Sequence, residues 1–114
     1  MPVLQITTNR PIDDSSALAG KASATVSEML GKPEQYVMIN MAHNPCMMFA
    51  GSDAPLAYLE LKSIGLPEEW TSDLSQKLCE LLNAELGIAI ERIYIEFADS
   101  QRHMFGWNGR TFAG

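Results

Sequence analysis

The chain has 114 residues, of which 46% are hydrophobic and 19% charged, and its net charge is −6 at pH 7. This length suits one domain covering residues 1–114, and the acidic balance argues against nucleic acid as a partner, because proteins that bind the phosphate backbone carry basic patches. No apolar run approaches the roughly 20 residues of a membrane span, and no signal-peptide pattern is present, so we expect a cytoplasmic protein without a membrane partner.

The first half of the chain is predicted to form a strand, a helix and a second strand. Val3–Thr8 is the first strand, and the helix begins among Asp13, Asp14 and Ser15, since acidic and capping residues favour a helix N-terminus. Gly31 ends the helix in a left-handed conformation, and residues 36–42 form the second strand. The inward face of the helix carries Leu18, Ala22, Val26 and either Met29 or Leu30.

The second half repeats this order at an offset of 56 residues, so that Leu30-Gly31 matches Leu86-Gly87. Strands are predicted at residues 56–64 and 92–98, around a helix whose apolar face is Leu74, Leu78, Leu81, Leu82 and Leu86. The pseudo-repeat halves are about 1–56 and 57–114. Two βαβ units of this kind require parallel pairing and crossover helices. The expected fold is therefore α+β, an α/β sandwich with a four-stranded mixed sheet and two helices on one face.

Two strand segments, 36–42 and 56–59, carry apolar side chains at successive positions, and we interpret both of their faces as apolar. Two helices cover only one face of a sheet, and strands that are apolar on both sides are normally buried on both sides. This pattern predicts that the second face packs against other subunits.

A polar loop at 43–55 separates the halves, and Asn108-Gly109 between aromatic residues predicts a tight hairpin.

Side chains that could bind a metal are isolated along the chain. Cys46 and Cys79 lack a CxxC spacing, and His43 and His103 have no second ligand nearby in sequence. Buried or inert thiols are therefore favoured over a disulfide or a metal site.

Pro2 is the first candidate for chemistry. Removal of Met1 would expose a secondary amine, and an α-amino group has a pKa of about 7.7–8.0 in the absence of perturbation. Burial and a nearby cation both favour the neutral form, which can abstract a proton next to a carbonyl. The alternative is an inert N-terminus.

Lys32 and four aromatic residues are further candidates. Lys32 follows the end of the first helix, where a cation either complements the helix dipole or binds a carboxylate. The aromatic residues are either core or interface residues or the lining of a site for a planar ligand. They are Tyr94, Phe105, Trp107 and Phe112.

Short segments distributed in order along essentially the whole chain carry a family resemblance. They are Met1-Pro2, Thr8-Asn9, Gly31-Lys32-Pro33-Glu34-Gln35-Tyr36, Phe49-Ala50-Gly51-Ser52, Ser63-Ile64-Gly65, Arg92-Ile93-Tyr94-Ile95, Gly106-Trp107-Asn108 and Thr111-Phe112-Ala113. In combination they resemble the macrophage migration inhibitory factor branch of the tautomerase superfamily.

The resemblance implies a homotrimer with three sites at subunit interfaces and no cofactor. It implies an isomerase that interconverts the enol and keto forms of phenylpyruvate and hydroxyphenylpyruvate, with dopachrome analogues as a further class. Pro2 would be the general acid and base, and Lys32 and the backbone at Ile64 would hold the substrate carboxylate. Tyr94 of a neighbouring subunit would line the pocket with Phe105, Trp107 and Phe112. Four residues are further pocket candidates: Val3, Tyr36, Met38 and Ser63.

This chain departs from the animal members at two places. Glu96 stands where they have Asn, and strand alternation puts it on the same face as Tyr94, either near the anionic substrate or paired elsewhere. Residues 56–59 lack their CxxC, so a thiol oxidoreductase activity is not expected. The alternative function is a non-catalytic, cytokine-like trimer that binds a receptor or another host protein. Such a protein would be released from the cell without a signal peptide.

Overall fold

The computed structural model describes residues 1–114. Six strands and two α-helices follow one another along the chain, with short 3-10 turns before β2, α2, β4 and β5. Neither helix has both the length and the apolar character needed to cross a membrane. The elements are β1 (Val3–Thr8), α1 (Ser15–Leu30), β2 (Met38–His43), β3 (Ala57–Ile64), α2 (Thr71–Leu86), β4 (Ile93–Ser100), β5 (Gly106–Trp107) and β6 (Arg110–Thr111).

The main sheet has four strands in the order β2-β1-β3-β4. β1 pairs in parallel with β2, β3 pairs in parallel with β4, and the two pairs meet where β1 runs antiparallel to β3. Each parallel pair is joined by one helix, because parallel neighbours need a long crossover connection. The predicted mixed sheet is confirmed. The first residues of α1 and α2 are 56 positions apart, and so are their last residues, which matches the offset of the repeat.

Both helices end at a glycine with a left-handed backbone, as the sequence predicted. Gly31 has φ +62° and Gly87 has φ +67°, which a residue with a Cβ adopts only with strain. The start of α1 is also as predicted, because an Asp14 carboxylate oxygen accepts a hydrogen bond of 3.0 Å from the amide of Ala17. Local sequence signals therefore determine the helix ends.

The hydrophobic core lies between the two helices and one face of the sheet. Helix residues spaced four apart pack against central-strand residues such as Leu4 and Leu59, both of which are fully buried. Burying a leucine side chain stabilises a fold by roughly 1.5–3 kcal/mol. The buried helix residues are Leu18, Ala22, Val26, Leu30, Leu74, Leu78, Leu82 and Leu86.

Two expectations about the sheet were wrong. Tyr36 lies in a 3-10 turn, and β2 begins only at Met38. The face opposite the helices is not apolar throughout, because strand alternation turns the apolar β2 residues Ile39 and Met41 towards the core. A polar row crosses the middle of that face instead, formed by paired residues of all four strands: Asn40, Gln5, Glu60 and Glu96.

Asp14→Ala should lower the free energy of unfolding by about 1 kcal/mol, the usual effect of removing a helix N-cap. The loss follows because the Ala17 amide would have no side-chain acceptor. Chemical denaturation would measure it. Asp13→Ala is the matched control, since Asp13 is exposed and caps nothing, and equal losses in both variants would contradict the cap.

Candidate active site

Pro2 is fully buried at the entrance to β1. Its carbonyl accepts a 3.0 Å hydrogen bond from the amide of Met38, which ties it to the start of β2. With Met1 attached, the Pro2 nitrogen is an amide. Ser63 follows Lys62, the β3 partner of Val3, and so lies opposite Pro2 in the antiparallel pair. The Ser63 side chain is also buried, and its hydroxyl has no hydrogen-bond partner within the chain.

Lys32 is held at the same end of the sheet by three polar contacts. Its ammonium group donates a 3.1 Å hydrogen bond to the carbonyl of Ile64, the last residue of β3. Its backbone is fixed by Ser27, whose hydroxyl donates to the Lys32 carbonyl at 2.6 Å and whose own carbonyl accepts from the Lys32 amide at 3.1 Å. The left-handed Gly31 thus directs Lys32 back onto the sheet.

Asp99 orders the turn that follows Ile64. One of its carboxylate oxygens accepts hydrogen bonds from the amides of Gly65 at 2.9 Å and Leu66 at 3.1 Å. Sequence reasoning did not identify Asp99. The available signal was the parallel pairing of β3 with β4, which places Asp99 beside Ser63.

The electrostatics of this end favour a neutral amine. Burial lowers the pKa of the N-terminal amino group of Met1, and the charges of Lys32 and then Arg102 lower it further. Arg102 lies in the 3-10 turn that follows β4. It was also missed from the sequence, because it is 70 positions from Lys32 and belongs to no recognisable motif.

Four aromatic residues cluster next to this end. Tyr36 meets Trp107 edge to face at 5.6 Å between ring centroids, and Trp107 stacks on Phe112 at 5.6 Å with an interplanar angle of 12°. Phe105 completes the cluster at 6.0 Å from Phe112. The predicted hairpin contains Trp107 and is flanked by Phe105 and Phe112. Both of its turn residues have positive φ, 55° at Asn108 and 75° at Gly109.

Most of the predicted site residues therefore lie at one end of the protomer, and two do not. Those at the Pro2 end are Pro2, Val3, Lys32, Tyr36, Met38, Ser63, Ile64, Phe105, Trp107 and Phe112. Tyr94 is at the start of β4, where it pairs with Tyr58, and Tyr58 in turn pairs with Thr7. Thr7 is five residues along β1 from Pro2, so Tyr94 is displaced by roughly 17 Å in the strand direction. Its side chain is 65% exposed.

Glu96 lies midway along the edge strand β4 and is hydrogen-bonded within its own chain. The hydroxyl of Tyr58 donates a 2.6 Å hydrogen bond to a Glu96 carboxylate oxygen. This bond is the main reason why the pKa of Tyr58 is raised to about 12. Glu96 is thus paired with a tyrosine on the exposed face, two residues along β4 from Tyr94.

The main surface grooves of the chain do not include the Pro2 and Lys32 side chains. An entirely apolar groove of about 350 Å³ contains Met47, Met48, Phe49, Tyr58 and Tyr94. A larger one of about 730 Å³ runs along α2 and contains Cys79. None of the five main grooves is lined by Pro2 or Lys32.

The two cysteines are free, and Cys46 is exposed. Cys79 is half-buried, and burial raises the pKa of its thiol. A raised pKa disfavours the reactive thiolate form.

Comparison with known proteins identifies the family. The model of the macrophage migration inhibitory factor (MIF) family matches residues 1–113. The chain belongs to this family. A MIF homolog of Brugia malayi is 43% identical over 98% of this chain and 99% of its own length. The MIF of Mus musculus is 32% identical over 99% of this chain and all of its own length.

Solved MIF structures have the same fold. The MIF homologue of Prochlorococcus marinus superposes with a TM-score of 0.92 at 38% identity, covering 96% of this chain and 98% of its own. The MIF of Trichinella spiralis gives a TM-score of 0.91 at 36% identity, covering 96% and 99%. The resemblance seen in the sequence is confirmed, and the MIF fold comprises the whole sheet and both helices.

Lys32→Gln should raise the pKa of the N-terminal amino group, because removing a nearby positive charge stabilises the protonated amine. Arg102→Gln should also raise the pKa of this amino group. An NMR titration of the ¹⁵N-labelled amine would measure both shifts. Lys21→Gln is the matched control, since Lys21 is paired with Glu85 of α2 at 2.6 Å. A shift in the control as large as that in Lys32→Gln would contradict a local effect.

Proposed function

We propose that this MIF-family protein is a keto–enol tautomerase in which the Pro2 amine, freed by removal of Met1, transfers the proton. The observation that carries the proposal is the environment of the N-terminus: the Met1 amino group, next to Pro2, is partly buried and lies close enough to two cations for its pKa to be lowered. Burial and nearby positive charges favour the neutral form of an amine, and the neutral form can act as a base.

The proposed reaction requires only proton transfers. The neutral amine takes the proton from the enol hydroxyl of phenylpyruvate or hydroxyphenylpyruvate, and the carbonyl forms. The protonated amine then delivers its proton to the adjacent carbon, which restores the free base. Dopachrome analogues are a further proposed substrate class, since they also isomerise by moving a proton. No cofactor enters this scheme.

The neighbours of Pro2 suit an aromatic 2-keto acid. Lys32, with its ammonium group at the end of β3, would bind the carboxylate together with the backbone at Ile64. The cluster of Phe105, Trp107 and Phe112 offers ring faces for the aromatic group. The remaining proposed pocket residues are Val3, Tyr36, Met38 and Ser63.

A homotrimer completes the proposed site. Tyr94 is too far along the sheet to reach Pro2 of its own chain, and its ring is exposed. Met38 and Trp107, at the Pro2 end, are also large apolar residues with more than 40% exposure. In a cyclic assembly the Tyr94 end of one protomer would cover the Pro2 end of the next. This arrangement would account for the absence of Pro2 and Lys32 from the main grooves of a single chain.

Blocking the Pro2 amine should abolish turnover without dissociating the trimer. An alanine inserted between Met1 and Pro2 turns the nitrogen into an amide, which has no useful basicity. The expected loss in kcat is about 10²–10⁴, the usual contribution of a general base. Enol-to-keto conversion of phenylpyruvate would be followed by absorbance, and light scattering would report the mass of three chains.

The control for this experiment is the unmodified protein, shown by mass spectrometry to have lost Met1. Its activity should fall as the pH drops through the pKa of the amine, since the protonated amine cannot accept a proton. Near-full activity in the blocked variant would falsify the mechanism and favour the alternative of a non-catalytic binding protein.

Glu96→Asn should raise kcat/KM for phenylpyruvate by about two- to fivefold at low ionic strength, the size of a surface charge–charge effect. The change removes a negative charge beside Tyr94 and keeps an acceptor for the Tyr58 hydroxyl. The gain should shrink at high salt because of screening. Glu85→Gln, which removes the same charge from α2, should have no effect. An unchanged value for Glu96→Asn at low salt would show that Glu96 does not face the substrate.

A further inference from the structure

Arg92 binds the loop before β3 through every side of its guanidinium group. Nε donates to the carbonyl of Pro55 at 3.0 Å, and Nη1 donates to that of Phe49 at 3.1 Å. Nη2 donates to the carbonyls of Ser52 at 2.9 Å and Ala54 at 3.0 Å. All four acceptors belong to residues 49–55, so one side chain holds the whole segment.

The segment has a strained shape that needs such support. Phe49 and Ser52 exchange two backbone hydrogen bonds of 2.9 and 3.0 Å around a tight turn. Ala50 in this turn has φ +54°, a left-handed conformation that is unfavourable for a residue with a Cβ. The turn therefore keeps its shape because contacts outside it fix its carbonyl groups.

The turn places the Phe49 ring between Arg92 and Tyr94. The guanidinium carbon of Arg92 lies 5.4 Å from the Phe49 centroid, and the centroids of Phe49 and Tyr94 are 4.6 Å apart. Tyr94 is otherwise largely exposed. Phe49 is thus the aromatic neighbour that limits where the Tyr94 ring can be.

We propose that Arg92 is a positioning residue for catalysis in the neighbouring subunit. It fixes the 49–55 turn, so that Phe49 holds the Tyr94 ring in the orientation that the next protomer's site requires. This inference rests on the proposed function, in which Tyr94 lines a site containing the Pro2 of another chain. Lysine cannot replace Arg92, because an ammonium group lacks the planar fork that spans several carbonyls.

Arg92→Lys should raise KM for phenylpyruvate by about three- to tenfold, the effect of losing one aromatic contact, with kcat nearly unchanged. KM alone changes because the Tyr94 contact is present in both ground and transition states. Arg10→Lys is the matched control: Arg10 also donates to a backbone carbonyl, that of Leu86 at 3.0 Å. It should lower stability without changing KM, whereas a similar rise in KM in both variants would overturn the proposal.

The action across subunits is tested by mixed trimers. Arg92→Lys chains are reassembled with a tenfold excess of chains whose Pro2 is blocked by the inserted alanine. Each active Pro2 then belongs to an Arg92→Lys chain and faces a neighbour with an intact Arg92. We expect the KM of these trimers to return to the wild-type value, and a KM that stays high would overturn the proposal.

A readout independent of turnover separates this inference from the proposed function. The chain has three tyrosines, so the ring signals of ¹³C-labelled Tyr94 can be assigned by substitution. Arg92→Lys should shift the Tyr94 signals and leave those of Tyr36 unchanged. Unmoved Tyr94 signals overturn the positioning role even in an active enzyme. Shifted signals in a protein that does not turn over phenylpyruvate support the positioning of Tyr94 and contradict the proposed function.

Discussion

The antiparallel contact between β1 and β3 is the constraint on which the candidate site depends. Because the two parallel pairs run in opposite directions, the starts of β1 and β2 lie at the same end of the sheet as the ends of β3 and β4. Pro2, Met38 and Ile64 are therefore neighbours although they are far apart in sequence. The crossover from α1 to β2 must also return to this end, and it brings Lys32 with it. By the same rule the start of β4, with Tyr94, lies at the other end.

The parts of the fold that local chemistry controls could be predicted from the sequence. The glycines that end the helices, the acidic and capping residues at the start of α1, the apolar helix residues spaced three or four apart and the Asn108-Gly109 hairpin each act within a few residues. The structure shows all of them. The second face of the sheet was predicted wrongly because apolar residues at successive positions of a strand do not reveal which of them face the core. Asn40 and Gln5 are hydrogen-bonded to each other on that face at 2.8 Å.

The site was predictable only in part, for a related reason. Lys32 has a sequence signal because it adjoins a helix end. The hydrogen bonds of Asp99 and Arg92 have no local signal, because each side chain bonds to backbone groups more than 30 residues away. Periodicity contains no information about such partners. Arg102 becomes relevant only once β4 has been placed beside β3. The pairing of Glu96 with Tyr58 likewise depends on strand register, which the sequence left open.

Because of the 56-residue offset, residues at one end of the sheet have counterparts at the other end. Under it, Met38 corresponds to Tyr94 and Tyr36 to Arg92, while Pro2 corresponds to Tyr58. The same strand-start position thus carries the buried N-terminal proline in one half and a half-buried tyrosine in the other. In the proposed ring of three chains, these quasi-equivalent ends would meet head to tail, one supplying the base and the other the aromatic cover. A chain made of two related βαβ units would then be sufficient to form a closed ring. Three chains have six related ends, which would form three pairs.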